Sequence, residues 1–129
     1  MNTIDKKTVL IVEDNDKNMK LARDILEAKG YGVLAATCGE DGVKLAIEHL
    51  PDLVLMDIQM PGIDGVEALA LLRADVRTAT VPVIAFTASV TAGDRSRVTE
   101  AGFDGLVAKP ISLKEFIATI TRLANSGAA

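Results

Sequence analysis

The chain has one cysteine, one tyrosine, three phenylalanines and no tryptophan in 129 residues. With Cys38 alone no internal disulfide can form, which agrees with a reducing compartment. A single thiol near a strand end, without a partner, gives no reason to assign it chemistry. So few aromatic rings leave little to sandwich a flat cofactor or to stack on bases. Positive charge is also scarce: 14 Lys and Arg stand against 18 Asp and Glu, a net charge of −4. They form no basic cluster, so direct nucleic-acid binding is not expected. No apolar run is long enough to cross a bilayer, and the opening "MNTIDKK" lacks the apolar stretch of a signal peptide. The expectation is a cytoplasmic protein without membrane insertion.

What is present is the balance of a folded globular chain, 49% hydrophobic and 25% charged. The length suits one domain over residues 1–129, with a core over about 7–124, and leaves no room for an output domain. Five short apolar runs recur: "TVLIV" from Thr8, "GVLAA" from Gly32, "LVLM" from Leu53, "VIAF" from Val83 and "LVA" from Leu106. They are continuous rather than alternating, as parallel strands covered on both faces should be.

Helical patterns fill the gaps. Asp16 to Lys29 carries Met19, Ala22 and Leu26 on one face and stops at Gly30. About Glu40 to His49 repeats Val43, Ala46, Ile47 and Leu50 before Pro51. A third helix is expected over about Gly65 to Ala74, and a fourth over about Thr91 to Ala101. In the last, "SLKEFIATITRLAN", Ser112 and Glu115 read as a capping box, and Leu113, Phe116, Ile117, Ile120, Leu123 and Ala124 keep helical spacing. The sum is an α/β fold, a single doubly wound (βα)5 domain.

Four of the five runs end in a polar residue: Glu13 and Asp14 after the first, Asp57 after the third, Thr87 after the fourth and Lys109 after the fifth. In open parallel sheets the ligand crevice lies beyond the carboxyl ends of the strands. Three carboxylates, a hydroxyl and an ammonium therefore share one rim. Taken singly, each has a plain reading as a cap, a loop acid, a strand threonine or a surface lysine. Together they ask for one cause. Gathered carboxylates repel unless a hard cation such as Mg2+ offsets them. Lys109 and Thr87 suit phosphoryl oxygens, and a carboxylate can itself take a phosphoryl group. Asp57, at the centre of the sheet, is the candidate acceptor.

The segments "VLIVEDN", "PDLVLMDIQMPGIDG", "PVIAFTA" and "AKP" resemble the landmark segments of bacterial response-regulator receiver domains, over about Lys7 to Leu123. "DNDKNMKLARDIL" and "KPIS" are most similar to stand-alone receivers of cell-division control and to receivers fused to hybrid kinases. The resemblance implies a flavodoxin-like five-stranded sheet of order 2-1-3-4-5. It implies Asp57 as phosphoacceptor, and Mg2+ held by Asp14, by Glu13 through water, by Asp57 and by the Gln59 carbonyl. Thr87 would be the switch hydroxyl, Lys109 the cation on the phosphoryl group, and Ala88 the small residue that keeps access open. The bond before Pro110 would be cis. One position departs: Leu106 stands where receivers carry an aromatic switch residue.

The implied partners are a sensor histidine kinase or histidine phosphotransferase as donor, and downstream effectors or kinases that read the phosphorylated state. The alternative role is a phosphate sink or shuttle in a relay. Asn18, Leu21, Ile25 and Leu106 form the candidate partner surface. Leu21 and Ile25 lie beyond the core stripe of their helix, although a wide apolar face would equally make Leu21 core. His49 closes a helix, where the dipole favours it, and reads as structural. Slow self-hydrolysis is expected because Gln59 and Ser89 flank the path of an attacking water. Two other classes compete. A flavin binder would want a phosphate loop after the first strand and stacking aromatics. An aspartyl-phosphate phosphohydrolase would want a second acid where Gln59 stands. A folded adaptor with a vestigial site is at odds with the intact acid set.

Overall fold

The computed structural model describes residues 7–60, 62–88 and 91–126. Pro61, Ser89, Val90 and the extreme termini lie outside these, as does the expected role of Ser89. The order is β1 (Thr8–Val12), α1 (Asp16–Ala28), β2 (Gly32–Ala36), α2 (Gly39–His49), β3 (Leu53–Asp57), α3 (Gly65–Ala74), β4 (Val83–Thr87), α4 (Ala92–Ala101), β5 (Gly105–Ala108) and α5 (Leu113–Ser126). The strands form one parallel sheet of order β2-β1-β3-β4-β5, the topology expected.

The pleat divides the apolar runs between two faces. Val9, Ile11, Leu53, Leu55, Ile84 and Phe86 meet α1 and α5 through Met19, Ala22, Leu26, Phe116 and Ile120. Leu10, Val12, Val54, Met56, Val83 and Ala85 meet α2, α3 and α4 through Ala46, Ala68, Leu69, Leu72 and Val98. Each fully buried aliphatic contributes about 2 kcal/mol. Two such faces give a scaffold able to carry buried charge at its rim.

Local signals set the boundaries. Asn15 caps α1 by accepting the Asn18 N–H at 3.0 Å, and Thr91 caps α4 by accepting from Asp94. Gly102, at φ +104°, ends α4 in the left-handed region.

Three expectations need correction. The reciprocal capping box forms at α3, where Asp64 and Glu67 exchange bonds of 2.8 and 3.0 Å. At α5, Ser112 instead offers its backbone carbonyl to the Phe116 N–H at 2.8 Å, and no hydrogen bond from the backbone of either Ser112 or Glu115 to the other's side chain is found among the described residues. Leu113, the first residue of α5, is not part of its core stripe but is 57% exposed. Leu50 is likewise not core. It caps α2 at φ 50° and ψ 62° and is 55% exposed.

Candidate functional site

The ladders that build the sheet also place its rim. The Glu13 N–H donates to the Ala36 carbonyl at 3.0 Å, and the Lys109 N–H to the Thr87 carbonyl at 2.8 Å. Each pairing extends one residue past the strand, so the polar residue stays fixed while the chain turns away. Asp57 is itself the last residue of β3 and pairs with Phe86 of β4. The pleat that buries Ile11, Leu55 and Val107 toward α1 and α5 brings Glu13, Asp57 and Lys109 to the same side. Thr87 follows Phe86 and has the opposite parity, toward α3 and α4.

The three carboxylates do converge. Glu13, Asp14 and Asp57 each offer an oxygen within 4.8 Å of the others. Glu13 is fully buried, Asp57 nearly so, and Asp14 is exposed. The Lys109 ammonium lies 2.8 Å from Glu13 Oε1 and 3.1 Å from Asp57 Oδ2. Asp57 Oδ1 accepts the Gln59 N–H at 3.1 Å, and Glu13 Oε2 accepts the Asn15 N–H at 3.0 Å. Lys109 is 15% exposed in its side chain, so the cation is largely desolvated with its two anions. The bond from Lys109 to Pro110 is cis.

Electrostatics follow from burial. Desolvation pushes the Glu13 carboxyl up to about 7, against the pull of Lys109 and the Asn15 N–H, and nearby Asp57 adds to the rise. Burial works against the Lys109 charge, but Glu13 and Asp57 outweigh it and raise the ammonium above its ordinary value. Glu13 Oε1 is the informative atom. It is buried, and the Lys109 ammonium at 2.8 Å is the charge that faces it.

This all-oxygen set of three carboxylates, open to solvent at Asp14, fits a hard divalent cation. The cleft of about 370 Å³ is lined by Glu13, Asp14, Asn15, Asn18, Asp57, Gln59, Thr87, Ala88 and Lys109. Every rim residue expected from the sequence is therefore in one place. A larger groove of about 510 Å³ between α3 and α4 shares only Gln59 and Thr87 with it. It is lined by apolar Ile58, Val66, Val98 and Ala101 together with charged Asp64, Asp94, Arg97 and Glu100.

Across this geometry, the model of the response regulator receiver domain matches residues 9–121. The chain belongs to that family. Among curated relatives of the receiver, the polar-differentiation response regulator DivK of Brucella ovis is 46% identical over 114 residues, covering 88% of this chain and 93% of its own length. Among solved structures, the receiver domain of a sensor histidine kinase from Pseudomonas aeruginosa PAO1 is 32% identical with a TM-score of 0.86. The match covers 93% of this chain and 98% of that one, which is described with a magnesium ion coordinated in its active site cleft. A chemotaxis response regulator of Vibrio cholerae, 22% identical with a TM-score of 0.86 over 92% and 98% of the two chains, shares the fold.

The partner-surface residues fall in two places. Leu21 is 45% exposed on α1, which excludes the core reading. Ile25 is half-buried against the α1 and α5 core, and Asn18 half-buried at the cleft. Leu106 is half-buried on β5, packed toward the α2 to α4 side and far from a ring switch in kind. No helix among the described residues is long and apolar enough to cross a membrane. One neighbour escaped the sequence reading. Phe86, one residue before Thr87, places its ring centroid 4.8 Å from the Lys109 Nζ.

Proposed function

We propose that this receiver takes a phosphoryl group onto Asp57 from a histidine kinase or histidine phosphotransferase, with Mg2+, and passes the signal by phosphorylation-dependent protein contact. The observation that carries this reading is the meeting of three carboxylates with the Lys109 ammonium, 2.8 Å from Glu13 and 3.1 Å from Asp57. Asp14, Asp57, the Gln59 carbonyl and, through water, Glu13 would hold the cation, and the magnesium named for the Pseudomonas receiver supports it. When bound, the cation supplies neutralisation of charge on the phosphoryl oxygens.

The chain's own residues do the rest. An Asp57 carboxylate oxygen attacks phosphorus, the phosphorus–nitrogen bond of the donor phosphohistidine breaks, and the imidazole leaves. Lys109, already held beside Asp57, pairs with a phosphoryl oxygen. Thr87, on the strand beside Asp57, donates its hydroxyl to another. Ala88 is exposed and small and keeps the approach open. Hydrolysis reverses the state: water attacks phosphorus, the phosphorus–oxygen bond to Asp57 breaks, and inorganic phosphate leaves. Drawing Thr87 inward biases a two-state equilibrium that partners read, and partners that favour one state bias phosphorylation in return. Likeness to DivK, a response regulator, supports a signalling role.

Incubation with acetyl phosphate and Mg2+, followed by intact mass, tests the reading. Wild type should gain one phosphoryl group and Asp57→Asn none. An adduct that persists in Asp57→Asn would reject the acceptor assignment.

A further inference from the structure

We infer that Phe86 is a positioning residue for Lys109: its buried ring holds the ammonium over the cleft, ready to receive a phosphoryl oxygen. This rests on the acceptor reading of Asp57 above and adds to it a residue that touches neither metal nor phosphoryl group.

The argument begins with the pleat. On β4, Ile84 and Phe86 share the side facing α1 and α5, the side on which Asp57 and Lys109 emerge from neighbouring strands. Phe86 pairs with Asp57 on one flank and with Val107 on the other. The Lys109 side chain must therefore cross the Phe86 ring to reach Asp57. The ammonium stops 4.8 Å from the ring centroid, 2.8 Å from Glu13 and 3.1 Å from Asp57. A cation at this distance is attracted by the negative face of the ring, more so where water is excluded. Phe86 is fully buried and Lys109 half-buried.

The two carboxylates alone would draw the ammonium toward Glu13, the closer and deeper anion. The ring lies beneath the ammonium and restrains the flexible lysine to the span between both acids. An aliphatic residue of similar size would fill the core equally well but offer no quadrupole. Lysine loses much side-chain entropy when held in one geometry. A ring already packed in the core supplies part of the compensation before the phosphoryl group arrives.

The test replaces Phe86 with ring-fluorinated phenylalanines carrying one, two and three fluorines, which weaken the ring face while nearly keeping its shape. The readout is the rate of phosphorylation by acetyl phosphate, in which the Asp57 oxygen–phosphorus bond forms as acetate leaves. Mg2+ affinity and melting temperature are followed in parallel. A stepwise fall, reaching about three- to tenfold, with unchanged Mg2+ affinity and melting, supports the inference. Phe86→Leu should fall at least as far as the trifluorinated protein. A flat series, or a rate that merely tracks melting temperature, overturns the positioning role while leaving the acceptor reading intact. Failure of wild type to gain the phosphoryl group overturns both.

Discussion

Gly65 packs so closely on Asp57 that a Cβ added to it would lie 2.6 Å from the Asp57 carbonyl oxygen. It would also lie 2.8 Å from Ile58 Cα. Both obstacles are backbone, so neither can swing aside. The Gly65 N–H donates to the Ile58 carbonyl at 2.9 Å, pinning the first turn of α3 to the segment that leaves the acceptor. Gly65→Ala must therefore push β3 and α3 apart. A loss of about 1–3 kcal/mol is expected in urea unfolding, with slower phosphorylation of Asp57. Gly93 is the control. A Cβ there meets nothing within 4 Å, and the residue is exposed inside α4. Gly93→Ala should stabilise by about 0.5–1 kcal/mol and leave the acceptor unaffected.

The raised Glu13 carboxyl makes the metal-free protein sensitive to pH. Folded, Glu13 holds its proton until about 7, whereas an unfolded glutamate releases it near the ordinary value of 4.5. Between these values the folded state binds more protons than the unfolded state. Stability from this group therefore falls as pH rises from about 4.5 to 7 and levels off above. In EDTA, the urea midpoint of wild type should drop across that window relative to Glu13→Gln. Mg2+ competes with protons for the carboxylates, so its stabilising effect should grow over the same range. A midpoint difference between the two proteins that does not change with pH would remove Glu13 as the source.

Much of the fold was legible because buried parallel strands must be apolar throughout. The runs at Thr8, Leu53 and Val83 could not be alternating half-buried strands. Their terminal residues, Glu13, Asp57 and Thr87, then announced the rim, since nothing in a core needs a carboxylate. The capping box was misplaced because Ser112-x-x-Glu115 and Asp64-x-x-Glu67 carry equivalent signals, and only the backbone entering each helix decides which one closes. Leu50 fitted helical spacing, yet Pro51 prevents its residue from continuing the helix and turns it outward. Leu21 was undecided for a related reason: spacing assigns a residue to a wide face but does not say where the neighbouring helix stops. Phe86 over Lys109 was beyond the sequence altogether. It depends on a side chain from β5 crossing β4, and no spacing within one strand encodes that.

Leu50 offers a stabilising change. A branched side chain at φ 50° carries the steric cost of the left-handed region, roughly 1–2 kcal/mol. Its 55% exposure means that little burial is given up on removal. Leu50→Gly should release that strain, less the added freedom of the unfolded chain, for a net gain of about 0.5–1 kcal/mol. Thermal unfolding should then rise by about 2–4 °C. Leu50→Ala, which keeps a Cβ, should show no gain. An equal gain from Ala would mean that exposure of the side chain, not the backbone, was the cost.

Leu21 decides between a passive helix surface and a docking one. It is 45% exposed on α1, beside half-buried Ile25 and one turn beyond Asn18, which lines the acidic cleft. An apolar side chain next to the acceptor suits a helix that must deliver a phosphohistidine to Asp57, because burying it against a partner contributes where solvent now lies. A small phosphodonor needs no such surface. Leu21→Asp should therefore slow transfer from a cognate kinase or phosphotransferase by about tenfold or more, while phosphorylation by acetyl phosphate and the melting temperature stay near wild type. Equal slowing with both donors would place the effect in the cleft, and unchanged transfer from the protein donor would move the docking face away from α1.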